Sequence, residues 1–580
     1  MEKPGIKSRS FWALMATQFL GAANDNAFQL TVQFLILASV TSEKAKTAYM
    51  AAAGAVFVIP FLIFSTFAGN IADRLSKRTV CVWSKVAEIV VMALGIAALG
   101  SGSPTACLVV LFCMTTQSTF FSPAKYGILP EMLEEAELSE GNGTIQMLTD
   151  IAIITGMIVG PVLFEVFQRH LYCAGVVYVG VAVVGTCTSL FVGAVPAADR
   201  GRRMQWNFIG EMGRNIRQIR RDRMLFLCII GESFFWLMAA CFKINFPVYG
   251  KSANLLALKS ESEVGVLLAL VALGIGFGAF LAGRWSGGKV EFGLVPIGGV
   301  FMAVFVAILF VSWRSAIATG IAVFMLGFGG GLYLIPLATF VQQRAPSDRK
   351  GMVLATNNFI TFFGVLVASG IYYLGASVLE IGPAGIFLAV AVMIVLFCAG
   401  FFRLLPEFPL RSPLWLFGRL TCRLRAAAIE RVPHEGPALL LCNHVCGTDS
   451  LLVSAGIPRL VRFVLPQPME GGWLARRLAL LIRFIQNGGD EGVGLATQAM
   501  EADELVGVFA EQKGHGSGIA EALLNAASDA GAPVIPVHIE HAPDGGGYRP
   551  VVKIVFGEAL PSGAGPAEVR RAMEELQNVS

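Results

Sequence analysis

Between Phe11 and Leu404 the chain repeats one pattern, apolar runs of roughly twenty residues separated by short polar or charged breaks. At about 1.5 Å rise per residue such a run crosses the ~30 Å hydrocarbon core of a bilayer. Backbone N–H and C=O groups find no water there, so each run has to satisfy them internally as a helix. The pattern predicts spans at 11–40, 47–72, 79–100, 105–122, 143–167, 172–196, 223–248, 260–284, 290–311, 314–343, 350–375 and 380–404. Only 14% of the 580 residues are charged, against about 25% in an ordinary soluble domain. The deficit is uneven. After Arg411 the chain turns to mixed polarity, with short β-branched runs and glycine turns. The expected architecture is an all-α membrane bundle of twelve transmembrane helices in two six-helix halves, followed by a soluble α/β domain. Its parts are expected at 1–405 for the membrane bundle, 406–431 for a basic amphipathic linker and 432–580 for the soluble domain.

The loops orient the bundle. The longest, 197–222, carries Arg200, Arg202, Arg203, Arg214, Arg217, Arg220 and Arg221, with Arg223 just beyond. Positive loops stay in the cytoplasm. Placing this one inside puts seventeen basic residues on that side and six on the other, so both termini are expected in the cytoplasm. Met1–Ser10 is basic, but the long run after it carries Asn24-Asp25-Asn26 and reads as a first span rather than a cleaved leader. Most of the 11 cysteines sit in apolar runs, and none has metal-ligand or disulfide-framework spacing. No metal, no cofactor and no nucleic-acid partner is expected; the expected partners are membrane lipids.

The second span closes on Gly69-Asn70-Ile71-Ala72-Asp73-Arg74-Leu75-Ser76-Lys77-Arg78. This resembles the loop signature of major facilitator proteins, whose fold is the twelve-helix, two-halves bundle. Gly69, Asp73, Arg74, Lys77 and Arg78 suit a gate, since Asp73 can cap a neighbouring helix or pair with a base across the bundle. The alternative is a charged loop that only fixes topology. A weaker echo at 283–289 lacks the aspartate.

A charge near mid-bilayer costs on the order of 3 kcal/mol or more, so polar residues in the spans carry the most weight as markers of function. Gln18-Phe19-Leu20-Gly21-Ala22-Ala23-Asn24-Asp25-Asn26-Ala27-Phe28 lies in the first span, and Phe120-Phe121-Ser122-Pro123-Ala124-Lys125-Tyr126-Gly127-Ile128-Leu129-Pro130 follows the fourth. Both are similar to stretches of the bacterial lysophospholipid transporters. The resemblance implies inward flipping of lysophospholipids, chiefly lysophosphatidylethanolamine, across the inner membrane. A zwitterionic head needs an acid for its ammonium and a base for its phosphate. Asp25, flanked by Asn24 and Asn26, is the first candidate acid and Lys243 the candidate base, with Glu232 and Lys125 as further contacts. A structural Asp25–Lys243 pair or a proton relay is the competing reading. Asp150, Glu165, Lys85 and Glu88 are unranked candidates.

From Leu410 to Arg431 the chain is basic and amphipathic, with Arg411, Arg419, Arg423 and Arg425 among apolar residues, and is expected to lie as a helix on the anionic membrane face. Beyond it an apolar strand runs into Asn443-His444-Val445-Cys446-Gly447-Thr448-Asp449. Four residues between His and Asp let the carboxylate orient the imidazole, so that His444 takes the proton of an attacking hydroxyl. The segment resembles the first motif of glycerolipid acyltransferases. Phe509-Ala510-Glu511-Gln512-Lys513 stands where that family has F-P-E-G, and Val534-Ile535-Pro536-Val537 matches its closing strand. The resemblance implies His444 and Asp449 as catalytic residues, Glu511 and Lys513 as acceptor-phosphate ligands, and acyl carrier protein or coenzyme A thioesters as donors. Ala510 and Gln512 depart from the pattern and leave turnover open. His515 lies in a loop near the motif, and His538 and His541 read as ordinary strand-end residues. A transporter with a noncatalytic lipid-binding tail, or an exporter of other amphiphiles joined to an acyltransferase, are the rival readings.

Overall fold

The protein is represented by a computed structural model. It describes residues 5–134, 137–193, 195, 208–286, 290–312, 315–346, 350–433, 436–443, 448–457, 459–465, 484–485, 490–510, 516–542 and 550–579. The chain forms two units, one of residues 1–281 with 298–398, the other of 282–297 with 399–580.

The first unit is helical throughout its regular structure. Its elements are α1 (Arg9–Ser39), α2 (Glu43–Arg74), α3 (Lys77–Ser101), α4 (Pro104–Gly127), a single turn α5 (Leu129–Met132), α6 (Leu138–Val166), α7 (Tyr172–Ser189), α8 (Phe208–Ile219), α9 (Arg223–Lys251), α10 (Glu261–Ser286), α11 (Leu294–Ile308), α12 (Ala316–Arg344), α13 (Lys350–Tyr373) and α14 (Pro383–Leu404). A helix stands at every expected span. Among the described residues, 10 helices are long and apolar enough to cross a membrane; Leu294–Ile308 is shorter. The helices begin where a side chain can take an orphaned N–H. Ser8, Ser42, Ser103, Asp222 and Ser315 each accept from the backbone N–H three residues on. The basic central loop is partly helical, in α8, rather than wholly irregular.

Small residues bring α1 and α6 together. A Cβ on Gly156 would lie 2.6 Å from the Ala23 carbonyl oxygen, and one on Gly160 would overlap the Ala27 carbonyl. This is the close backbone approach that drives helix association in lipid. Gly160→Ala is expected to cost about 1–3 kcal/mol through overpacking. Gly180→Ala, where a Cβ meets nothing within 4 Å, is expected to be neutral. Thermal unfolding of the two variants in detergent checks the contrast.

In the second unit, α15 (Glu407–Thr421) leads into a six-stranded sheet, β1 (Arg423–Ala427), β2 (Ala438–Cys442), β3 (Val461–Phe463), β4 (Leu505–Phe509), β5 (Val534–Ala542) and β6 (Val551–Phe556). The strand order is β1-β6-β5-β2-β4-β3. All pairings are parallel except β5 with β6. Helices α16 (Asp449–Gly456), α17 (Asp490–Glu501), α18 (Gly516–Asp529) and α19 (Pro566–Val579) complete it. The two faces pack separately. Leu440, Cys442, Val537 and Ile539 meet Leu414 of α15 and Leu451 of α16; Leu439, Leu441, Val506 and Val508 meet Met500 of α17, Leu523 of α18 and Val569. Strands buried on both faces read as continuous apolar runs, which is why β2 is Ala-Leu-Leu-Leu-Cys.

Two expectations for residues 410–431 are corrected here. Arg423 and Arg425 lie on β1, where burial alternates residue by residue, because Arg-Leu-Arg-Ala has the period of a strand. Arg411 does not face a membrane surface. It is 1% exposed and its guanidinium meets both carboxylate oxygens of Glu291 at 3.0 Å, while also donating to the Ile457 carbonyl. The apolar rim of α15 is left to Leu416 and Leu420, both exposed, and to Arg419, stacked over Trp285 and Trp415.

Candidate functional site

In the first unit the polar residues of α1 face three directions, since consecutive helical residues turn by about 100°. Asn24 donates to Glu88 Oε1 at 3.1 Å and to the Tyr178 carbonyl at 3.3 Å. Glu88 in turn holds Lys85 at 2.6 Å, both buried. Lys85 comes so near α1 that any side chain at Gly21 would overlap its ammonium. The unranked pair Lys85 and Glu88 is thus a closed ion pair.

Asp25 points to α4, where Ser118 Oγ donates to Oδ2 at 2.6 Å. Its Oδ1 is buried without a hydrogen-bond partner among the described residues. Asn26 points to α9, its Oδ1 accepting from Lys243 Nζ at 3.1 Å, and Gln29 Oε1 accepts from the same ammonium at 2.7 Å. Lys243 also lies 5.5 Å from the centre of the Phe57 ring. Asp25 and Lys243 therefore do not form the structural pair that the sequence left open. The acid keeps an unused oxygen, and the base has amide oxygens as its partners.

Lys125 lies within electrostatic reach of Asp25, and the remaining candidates make contacts of their own. Lys125 donates to Gln18 Oε1 at 3.0 Å, and Gln18 donates to Thr149 at 2.6 Å. Glu232 has a buried oxygen without a partner among the described residues, but it lies eleven residues from Lys243 on α9, about 16 Å along the axis. One small head group cannot bridge them. Asp150 accepts from Gln146. Glu165 accepts from the backbone N–H and hydroxyl of Ser262 at an exposed position, so it serves a helix end rather than a membrane path.

Of the gating residues, Lys77 pairs with Glu131 of α5 and Arg78 donates to the Leu190 carbonyl at 3.1 Å. Arg74 is exposed in the last turn of α2. A Cβ at Gly69 would meet nothing within 4 Å, so no close approach requires glycine there. Asp73 is in the same helix, and its side chain lies outside the described residues.

In the second unit the register places Cys442 beside Phe509 and Val537 on the other side of Cys442. The carboxyl ends of β2 and β4 therefore lie together beside the middle of β5, which runs five residues further, and the carboxyl edge is where ligands of open α/β sheets bind. His444 follows β2 and Glu511 and Lys513 follow β4; these three, with His515, lie outside the described residues. Asn443 and Asp449, on either side of His444, are described. Asn443 Nδ2 donates to the Ile539 carbonyl at 2.9 Å, and its Oδ1 accepts from the Ile539 N–H at 2.6 Å. Asp449, fully buried at the start of α16, has its Oδ1 2.7 Å from His541 Nε2. His541 is thus no ordinary strand-end residue. Burial, aided by the Asp449 charge, pushes the Cys442 thiol pKa up, so the cysteine beside the motif stays a protonated hydrophobe. Partial burial lowers the pKa of His538.

Sequence reading missed Gln29, Glu291, Asn443's clamp and His541. Gln29 carried a signal, for Asn26, Gln29 and Gln33 repeat at helical spacing within an apolar run. The partners of Glu291 and His541 lie 120 and 92 residues away, and no local pattern points to them.

The first unit has relatives. The chain is 28% identical over 399 residues to the lysophospholipid transporter LplT of Photorhabdus laumondii, covering 65% of this chain and 90% of that protein. It is 28% identical over 375 residues to the LplT of Enterobacter sp. (63% and 89%) and 27% identical over 386 residues to that of Shigella boydii (65% and 92%). Among solved structures, the nucleoside transporter NupG superposes with a TM-score of 0.52 at 13% identity, covering 68% of this chain and 98% of that one. A POT family transporter in complex with 5-aminolevulinic acid gives 0.56 at 12% identity, covering 70% and 99%. These two likenesses are of fold. The family model of the Major Facilitator Superfamily matches residues 14–369, more than half of the sequence, and the chain belongs to that superfamily.

Proposed function

We propose that the membrane half moves lysophospholipids, chiefly lysophosphatidylethanolamine, inward across a bacterial inner membrane, and that the tail reacylates them. The observation that carries the first part is the pairing of opposite needs at one turn of α1. Among the described residues, Asp25 has a buried oxygen without a donor, and the hydrogen-bond acceptors at the Lys243 ammonium are two amide oxygens. An ethanolamine phosphate head answers both, its ammonium on Asp25 and its phosphate on Lys243. The names of the LplT relatives favour the same substrate class. The excess of basic residues in the loops taken as internal favours cytoplasmic termini.

For the tail, the support is the clamped Asn443 and the buried Asp449 flanking His444 at the carboxyl edge of the sheet. In the reaction, the free hydroxyl of the lysolipid attacks the thioester carbonyl of an acyl carrier protein or coenzyme A donor. The new C–O bond forms as the C–S bond breaks. His444 takes the hydroxyl proton and returns it to the departing thiolate. Glu511 and Lys513 would hold the acceptor phosphate. Ala510 and Gln512, in place of the Pro and Gly of the acyltransferase motif, favour a second reading in which the tail binds lysolipid without turnover.

Wild type and His444→Ala are compared with lysophosphatidylethanolamine supplied to the outer face, following both internalisation and conversion to diacyl lipid. Uptake by both with conversion only by wild type is expected. Uptake without conversion in either leaves the noncatalytic tail, and no uptake in either removes the lysolipid reading of the membrane half.

A further inference from the structure

The His-x4-Asp motif is held at both ends by one strand. Asn443, before its histidine, makes two hydrogen bonds to the backbone of Ile539. Asp449, at its far end, meets the imidazole of His541 at 2.7 Å. Ile539 and His541 are two apart on β5 and so share a face. From this we propose that His541 is a positioning residue for acyl transfer, a donor that keeps the Asp449 carboxylate aimed while Asn443 fixes the entry to the motif. The proposal rests on the acyltransferase reading of the tail.

The physical need is plain. Asp449 is 0% exposed, and a buried carboxylate is stable only when donors surround it. A carboxylate only accepts, so Nε2 of His541 carries the proton in this contact. The helix start of α16 adds favourable backbone dipoles to the same carboxylate. The imidazole itself is 23% exposed, so it takes part of its solvation from water while serving a buried partner.

The neighbouring charges do not compete for this role. On β2 the nearest titratable group is Cys442, kept protonated. On β5 and β6, Glu540 and Lys553 pair with each other at 3.6 Å, and Glu540 alternates to the opposite face from His541. His538, three residues back, is likewise on the other face.

The test uses the full chain in lipid, with lysophosphatidylethanolamine as acceptor and acyl carrier protein and coenzyme A thioesters as donors. Conversion is measured at a single fixed pH for wild type, His444→Ala, His541→Phe and His541→Gln. His541→Phe removes this donor and leaves the buried carboxylate one hydrogen bond short. It should lower kcat/KM about 10- to 100-fold, the loss of one hydrogen bond to a charged group. His541→Gln, whose amide N–H reaches the same place, should recover most of that loss. A kcat/KM unchanged in His541→Phe overturns the proposal, as does a loss that His541→Gln does not relieve. If wild type converts nothing with either donor, the acyltransferase reading itself falls and takes this one with it. Conversion that His444→Ala abolishes and His541→Phe leaves intact removes the positioning role alone.

Discussion

Arg411→Ala should destabilise the second unit by about 3–5 kcal/mol, the cost of leaving a buried carboxylate without its partner. For a unit of this size that is a fall in unfolding temperature on the order of 10 °C. Glu291 and Arg411 are 0% and 1% exposed at their side chains, so water cannot replace the lost guanidinium. Arg411→Lys should recover only part, because one ammonium cannot reproduce the bidentate grip and the third bond to the Ile457 carbonyl. The double variant Arg411→Met/Glu291→Leu should be more stable than either single one, since removing both charges leaves no unpaired ion. It still strands the Ile457 carbonyl and the Gly293 N–H, which donates to Glu291 at 3.1 Å. A double-mutant cycle by thermal or denaturant unfolding reads the coupling. Additive single effects would show that the pair contributes nothing beyond packing.

Asp25→Asn and Lys243→Gln should each reduce lysophosphatidylethanolamine uptake by about 100-fold or more, the scale of one desolvated charge-assisted contact. The two differ in selectivity. A lysolipid whose head carries phosphate but no amine has nothing to offer Asp25, so Asp25→Asn should spare its uptake relative to the ethanolamine lipid. Lys243→Gln should weaken both, because both carry the phosphate. Asparagine at position 25 still accepts from Ser118, which keeps the local packing while removing the charge. Leaflet-resolved uptake in vesicles, with insertion checked by the amount of purified protein, separates the cases. Equal effects of Asp25→Asn on the two lipids would reassign Asp25 to a structural or ion-coupling role.

The membrane bundle was legible because its rule is one-dimensional. A stretch of apolar residues long enough to cross the bilayer has one backbone solution, and helices stand at each expected span. The strand pattern of the tail was legible in part, β2 and β5 through their apolar runs and β1 not at all, since its arginines looked like the polar face of a helix. The candidate sites divide the same way. Asp25 and Lys243 stood out as charges where charge is costly, whereas the reason they are not partners lies in Asn26 and Gln29, which intercept the ammonium. Arg411 was misread because an amphipathic pattern marks which residues are polar and is silent on whether a distant carboxylate will bury one of them. The same silence hid His541.

The second unit draws on two separate stretches of the chain, with Glu291 and Gly293 from one and Arg411 and Ser412 from the other bound together. A cut after residue 405 would therefore divide this folding unit at its most costly point. The severed tail would carry a buried guanidinium without its counter-ion, and the shortened transporter would keep a loop bereft of its cover. Shuffling the two halves between genes, in nature or in the laboratory, succeeds only if those sixteen or so intervening residues travel with the tail or are replaced by a loop that asks nothing of it.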